Sequence, residues 1–94
     1  MKYKIEKHEK PQRKSYQDVK KFDVARFEYG DYDNWANAII LELNVVKDGK
    51  ILEIKWCTAN GQEFVAYDFI TNGKAYLDII GVATENIKKE ECCK

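Results

Sequence analysis

A thiol beside an imidazole is the smallest nucleophilic unit this chain has the residues to assemble. It holds one histidine, His8, and three cysteines, Cys57, Cys92 and Cys93. Such catalysis needs a nucleophile, a base and an orienting group within reach of one another. His8 stands in a lysine-rich stretch that reads as solvated, and Cys57 falls inside an apolar run where an inert buried thiol is the ordinary outcome. The same residues match a zinc site in number but not in spacing, because Cys92 and Cys93 are adjacent. Asp31, Asp33 and Glu42 occupy the first, third and twelfth positions of a calcium loop. Trp35 and Ala36 then stand where that loop needs its fifth ligand and its glycine. There is no phosphate-cradling glycine loop, no H-E-x-x-H and no C-x-x-C, and no pair of carboxylates is set in an apolar stretch that would split their pKa values. The reading is a protein that is not an enzyme and holds no metal and no cofactor.

Two other clusters suit binding. Phe27-Glu-Tyr-Gly-Asp-Tyr-Asp-Asn-Trp35 concentrates aromatics and acids about a glycine turn. Exposed Tyr and Trp offer large, stiff contact area, and acids beside them select a basic partner. Asp31, Tyr32, Asp33 and Trp35 are therefore the candidate protein-binding residues, against the plainer reading that Phe27, Tyr29 and Trp35 are core residues beside an acidic turn. The second cluster lies in residues 1–21, which carry eight Lys/Arg against three acids, while residues 22–94 carry eight against thirteen. Lys10, Arg13, Lys14, Lys20 and Lys21 with Tyr16 for stacking make the mix expected of a single-stranded nucleic-acid binder. Glu6, Glu9 and Asp18 dilute that charge, and no RNA-binding signature accompanies it. The functional expectation is a small protein-binding module of the inhibitor or accessory-subunit kind, contacting a basic protein. The alternative is nucleic-acid binding through the basic N-terminal segment.

The length of 94 residues and an apolar share of 45% describe one domain, 1–94, with a basic arm at about 1–21. No apolar run approaches the roughly 18 residues of a membrane span, and the N-terminal residues lack the apolar stretch of a signal peptide. With an odd, badly spaced cysteine set, this points to a cytoplasmic protein with free thiols.

The elements that must position these groups are clearest over 39–70, where Asp48-Gly49 and Asn60-Gly61 separate three apolar runs. Both dipeptides suit two-residue type I′ hairpins. Counting outward from Asp48-Gly49 pairs Val45 with Leu52, Leu43 with Ile54 and Leu41 with Trp56. Counting from Asn60-Gly61 pairs Trp56 with Val65, Ile54 with Tyr67 and Leu52 with Phe69. The expected antiparallel meander is 39–46, 51–59 and 62–70, with one apolar face. For residues 74–89 the spacing of Tyr76, Ile79, Ile80, Ala83 and Ile87 predicts a helix covering that face, although Gly81 costs it about 1 kcal/mol. Residues 22–29 alternate as a strand, in competition with a helix capped by Ser15, and Tyr3 and Ile5 suit a further edge strand. The expected class is α+β: an antiparallel meander of three strands, four or five with the N-terminal segments, under a C-terminal helix. Its core is Leu41, Leu43, Val45, Leu52, Ile54, Trp56, Val65, Tyr67, Phe69, Ile79 and Ile80.

Overall fold

The computed structural model describes residues 2–29 and 34–86, with the side chains of residues 27–29 and 34–36 outside that description. The elements are β1 (Tyr3–Ser15), a 3-10 turn (Tyr16–Asp18), β2 (Asp23–Tyr29), β3 (Asn34–Val46), β4 (Ile51–Cys57), β5 (Glu63–Phe69) and β6 (Tyr76–Glu85). They form one antiparallel sheet in the order β1-β6-β2-β3-β4-β5. The α+β class is therefore corrected to an antiparallel β architecture. The expected helix over 74–89 is, within its described part, strand β6, inserted between β1 and β2. The strand reading of 22–29 corresponds to β2, and Ser15 caps only the 3-10 turn, its hydroxyl accepting from the Gln17 amide at 3.4 Å.

The helical spacing in 76–83 has a physical source. Leu77, Ile79, Gly81 and Ala83 are buried in strict alternation, but the pairing slips at Ile80: Ala25 pairs with Ile79 and Val24 with Gly81. The slip moves the next buried residues to the other face. Leu77 and Ile79 join the cluster of Ala25, Ala38, Ile40, Leu52, Ile54, Trp56 and Ala75, whereas Ala83 and the half-buried Ile80 join that of Tyr3, Val24, Ile39 and Cys57. A strand with a bulge thus imitates the 3.6-residue period, because apolar residues serve one face and then the other. On the β1 side the same point takes a larger irregularity, from the pair Lys7/Gly81 to the pair Gln12/Ile79. Here Gly81 has a role unrelated to helices: a Cβ on it would lie 2.3 Å from the Glu6 carbonyl oxygen and 3.0 Å from the Lys7 Cα.

The sheet needs no helical cover because it buries apolar groups on both faces. Val24 and Ala25 are consecutive and fully buried, and so are Ile39 and, within one per cent, Ile40. The first hairpin keeps the expected register, with Val45 opposite Leu52 and Leu43 opposite Ile54, but closes through a four-residue loop, 47–50, in place of a two-residue type I′ turn. Lys47, Asp48 and Gly49 all take positive φ (56°, 56° and 85°), and Lys50 N–H donates to the Lys47 carbonyl at 3.2 Å. The count fails beyond Glu42, where Leu41 is bulged and Ile40, not Leu41, opposes Trp56. Leu41 consequently packs against the second cluster. Val45, expected in the core, is 48% exposed.

Candidate functional site

The second hairpin places the site. Gly61 adopts φ 90°, its N–H donates to the Thr58 carbonyl at 2.9 Å, and Thr58 N–H donates to the Gln62 carbonyl at 2.9 Å. This is a three-residue loop with glycine in the left-handed position, not a two-residue type I′ turn. One extra loop residue slips the register by one, so Trp56 opposes Phe64, Ile54 opposes Ala66 and Leu52 opposes Asp68. A one-residue slip turns every side chain of the strand to the other face. Val65, Tyr67 and Phe69, expected inside, are 50%, 63% and 73% exposed. Phe64 takes the inner position and stacks on Trp56, with ring centroids 4.7 Å apart.

The outer face that receives these three side chains also carries Glu53 and Lys55 of β4 and Glu42 and Asn44 of β3. Its polar groups are partnered among themselves. Asn44 Nδ2 donates to Glu53 Oε1 at 3.3 Å, Tyr67 Oη donates to Glu53 Oε2 at 3.4 Å, and Lys55 Nζ lies 3.5 Å from Glu42 Oε1. Tyr67 is thus tied to Glu53 while most of the residue remains in water.

The backbone of β5 is equally specific. Ile70 N–H donates to the Lys50 carbonyl at 2.8 Å, and the Thr58 to Gln62 bond fixes the other end. Hydrogen-bonded pairs alternate along an antiparallel ladder, so Phe64, Ala66 and Asp68 turn their backbone groups toward β4. Glu63, Val65, Tyr67 and Phe69 turn theirs outward, where the sheet has no further strand among the described residues. The Phe69 amide is capped by the Asp68 carboxylate, Oδ1, at 2.8 Å. The opposite edge, β1, carries Lys4, Lys7, Lys10 and Pro11, the residues by which sheets deter further pairing. Tyr3 N–H of β1 donates to the Ala59 carbonyl at 2.9 Å, joining that edge to the loop between β4 and β5.

Beside the outer face opens a cleft of about 710 Å³. Tyr3, Phe22, Leu41, Phe64 and Val65 supply its apolar walls, and Lys21, Lys55, Glu42, Glu63 and Glu85 its charges. Behind Tyr3 lies the buried Cys57, a free thiol. Burial pushes the Cys57 thiol up, Glu63 adds to the rise, and a hydrogen bond from Tyr3 opposes it. Burial also raises the Tyr3 hydroxyl, reinforced by Cys57 and Glu85. Both groups are thus kept protonated, which suits packing and not nucleophilic attack.

The sequence-derived candidates fall as follows. Asp31, Tyr32 and Asp33 lie outside the described residues; Trp35 is in β3, paired with Glu28, and its side chain is likewise outside the description. Of the basic set, Arg13 lies over the Tyr76 ring at 5.1 Å and Lys21 over the Phe22 ring at 5.1 Å. Lys14 Nζ is 3.8 Å from Asp23 Oδ2, and Tyr16 is half-buried against the core. Lys10 and Lys20 are exposed. His8 is exposed on β1 and Cys57 buried in the second cluster. Among the described residues, no three His, Cys, Asp or Glu side chains gather in a metal-binding arrangement, and no helix is long and apolar enough to cross a membrane.

Comparison with protein-family models, with curated proteins and with solved structures finds no match.

Proposed function

We propose that this chain is a non-enzymatic protein-binding module, of the inhibitor or accessory-subunit kind, and that its partner adds a strand along β5. The observation that carries the reading is the coincidence of an open row of backbone donors and acceptors with exposed Val65, Tyr67 and Phe69 on one seven-residue edge strand. Strand addition uses the main chain for affinity and alternate side chains for specificity, and an uncovered apolar edge is otherwise an aggregation hazard. The acidic aromatic turn Asp31, Tyr32, Asp33 and Trp35 is a further candidate contact for a basic protein. The free Cys57 thiol fits a reducing compartment, and the cytoplasm is the proposed setting.

The test compares immobilised wild-type chain with Val65→Pro and with the double variant Tyr67→Ser/Phe69→Ser. Proteins retained by the wild type and lost by both variants are then purified and their binding measured by calorimetry. Proline at 65 removes an outward N–H that the fold does not use, so the domain survives while strand addition is blocked. Retained partners whose affinity is unchanged by both variants would refute the reading.

A further inference from the structure

The partner that the β5 edge fits most directly is a second copy of the same edge. We infer that the chain pairs β5 to β5, antiparallel, about a two-fold axis through Ala66; this rests on the strand-addition reading above and names its occupant.

The open backbone groups of β5 set the register. A two-fold at Ala66 sets Val65 opposite Tyr67 of the second copy and Glu63 opposite its Phe69. Glu63, Val65, Tyr67 and Phe69 are the residues whose N–H and C=O groups face outward, so each opposed pair is of the hydrogen-bonded type and the ladder closes in phase. A centre on Val65 or on Tyr67 is also possible in phase, but each shortens the overlap of Glu63–Phe69 by two residues. The Ala66 centre alone pairs the whole strand. Only the Phe69 amide must exchange its own Asp68 carboxylate for a carbonyl of the second copy.

Side chains agree with that register. Val65 against Tyr67 is a β-branched and aromatic pair of the kind that stabilises antiparallel sheets. Ala66 meets Ala66 at the non-hydrogen-bonded position, where strands approach most closely and a small side chain fits. No like charges are opposed: Glu63 faces Phe69, and Asp68 faces Phe64. The two Asp68 carboxylates stand four residues apart along the strand, about 14 Å, beyond the screening length of about 8 Å at physiological salt. Asp68 and the Glu63 of the second copy lie on opposite faces. Across the outer face the rows read Lys55, Val65, then Tyr67 and Glu53 of the second copy, so that the cation and the carboxylate flank an apolar centre. Edge β1, with its lysines, Pro11 and the Tyr3 link to Ala59, offers no comparable row.

The experiment is sedimentation velocity on the full chain over roughly 1–100 μM, the range in which a modest interface declares itself, together with a register-specific crosslink. Wild type should shift from monomer to dimer across this range, and Val65→Pro should remain monomeric with an unchanged circular dichroism spectrum. In a C92S and C93S background, Ala66→Cys should oxidise to a disulfide dimer, since the two Cα atoms at the axis lie within disulfide reach. Tyr67→Cys in that background should not, because each copy's residue 67 faces residue 65. A wild type that stays monomeric throughout, or a dimer that survives Val65→Pro, overturns the self-pairing. Should the monomer nevertheless retain a different protein in a Val65-dependent way, the strand-addition reading stands and only the choice of a second copy fails. If it retains none, both fail.

Discussion

Replacing Gly81 by alanine separates a strand from a helix by the sign of its effect. In a helix interior, Gly→Ala stabilises by about 1 kcal/mol. In β6 the added methyl meets the Glu6 carbonyl oxygen at 2.3 Å, at least 0.7 Å inside the 3.0 Å that real Cβ atoms respect, and the Lys7 Cα at 3.0 Å. Both obstacles are backbone of the neighbouring strand, so relief requires β1 to move off β6 where Lys7 pairs with Gly81. Overpacking of this kind costs about 1–3 kcal/mol, and loosening one ladder hydrogen bond adds about 1 kcal/mol. The loss of unfolded-chain entropy returns about 0.5 kcal/mol. The net is a destabilisation of about 1.5–3.5 kcal/mol, which in a domain of this size lowers Tm by roughly 6–28 °C. Urea unfolding and a thermal melt measure it, with Gly49→Ala as comparison. Gly49 has φ 85° but open space around it, so that variant should lose only the left-handed penalty of about 1–2 kcal/mol. A Gly81→Ala protein as stable as wild type, or more so, would refute the close approach of β1 to β6.

Further outcomes are expected. Ile39→Ala and Leu52→Ala, both at fully buried positions, should each cost about 2–5 kcal/mol in urea unfolding, enough to unfold a marginal domain. Tyr67→Ser/Phe69→Ser should change stability by only about 0.5 kcal/mol or less, since these side chains are mostly in water; a large loss would return them to a core. Tyr3 and Cys57 have folded-state pKa values raised above their ordinary 10.0 and 9.0. Above about pH 9 the unfolded chain releases these protons before the folded one does, so their contribution, complete below that pH, is lost as pH rises further. A Tm series from pH 7 to about 11 should therefore be flat and then fall, less steeply in Tyr3→Phe. Fluorescence anisotropy of a labelled single-stranded oligonucleotide tests the rival use of Lys10, Arg13, Lys14, Tyr16, Lys20 and Lys21. With most of these side chains engaged internally, no salt-sensitive binding is expected; micromolar binding that weakens steeply with salt would promote nucleic acid over protein as partner.

How far the sequence could be read depends on what each signal determines. Asp48-Gly49 marks the register of its hairpin, since the pairing follows from Val46 back to Glu42, but not the turn type: Lys47 joins Asp48 and Gly49 at positive φ and the loop spans four residues, 47–50. Asn60-Gly61 is equally compatible with a two-residue and a three-residue loop, and the choice between them decides whether Val65, Tyr67 and Phe69 lie inside or outside. The loop's docking against β1, through the Ala59 carbonyl and the approach of Lys2 to Gly61, accompanies the longer form. These contacts join positions 56 and 59 residues apart, so no local pattern announces them. Leu41 was lost for a related reason: a run of Ile, Ile, Leu, Glu, Leu supports either parity, and the bulge that selects one is set by packing on both faces. Asn72-Gly73 does form a tight turn, with φ of 54° and 73° and the Thr71–Lys74 bridge. The strands beyond it separate, since β6 pairs with β1 and β2 instead of β5. The edge site is therefore illegible as a site in the sequence, although the apolar character of Val65, Tyr67 and Phe69 is plain there.

Residue-resolved amide hydrogen exchange on β5 tests strand addition most directly. In dilute monomer the amides of Phe64, Ala66 and Asp68 should exchange slowly and those of Val65 and Tyr67 rapidly, the alternation of a one-sided ladder. Raising the protein concentration into the range where the second copy binds should slow Val65 and Tyr67 to the rates of their neighbours while leaving the β1 edge unchanged. Val65 and Tyr67 amides that remain fast in the associated state, or protection that appears on β1 instead, would contradict the account.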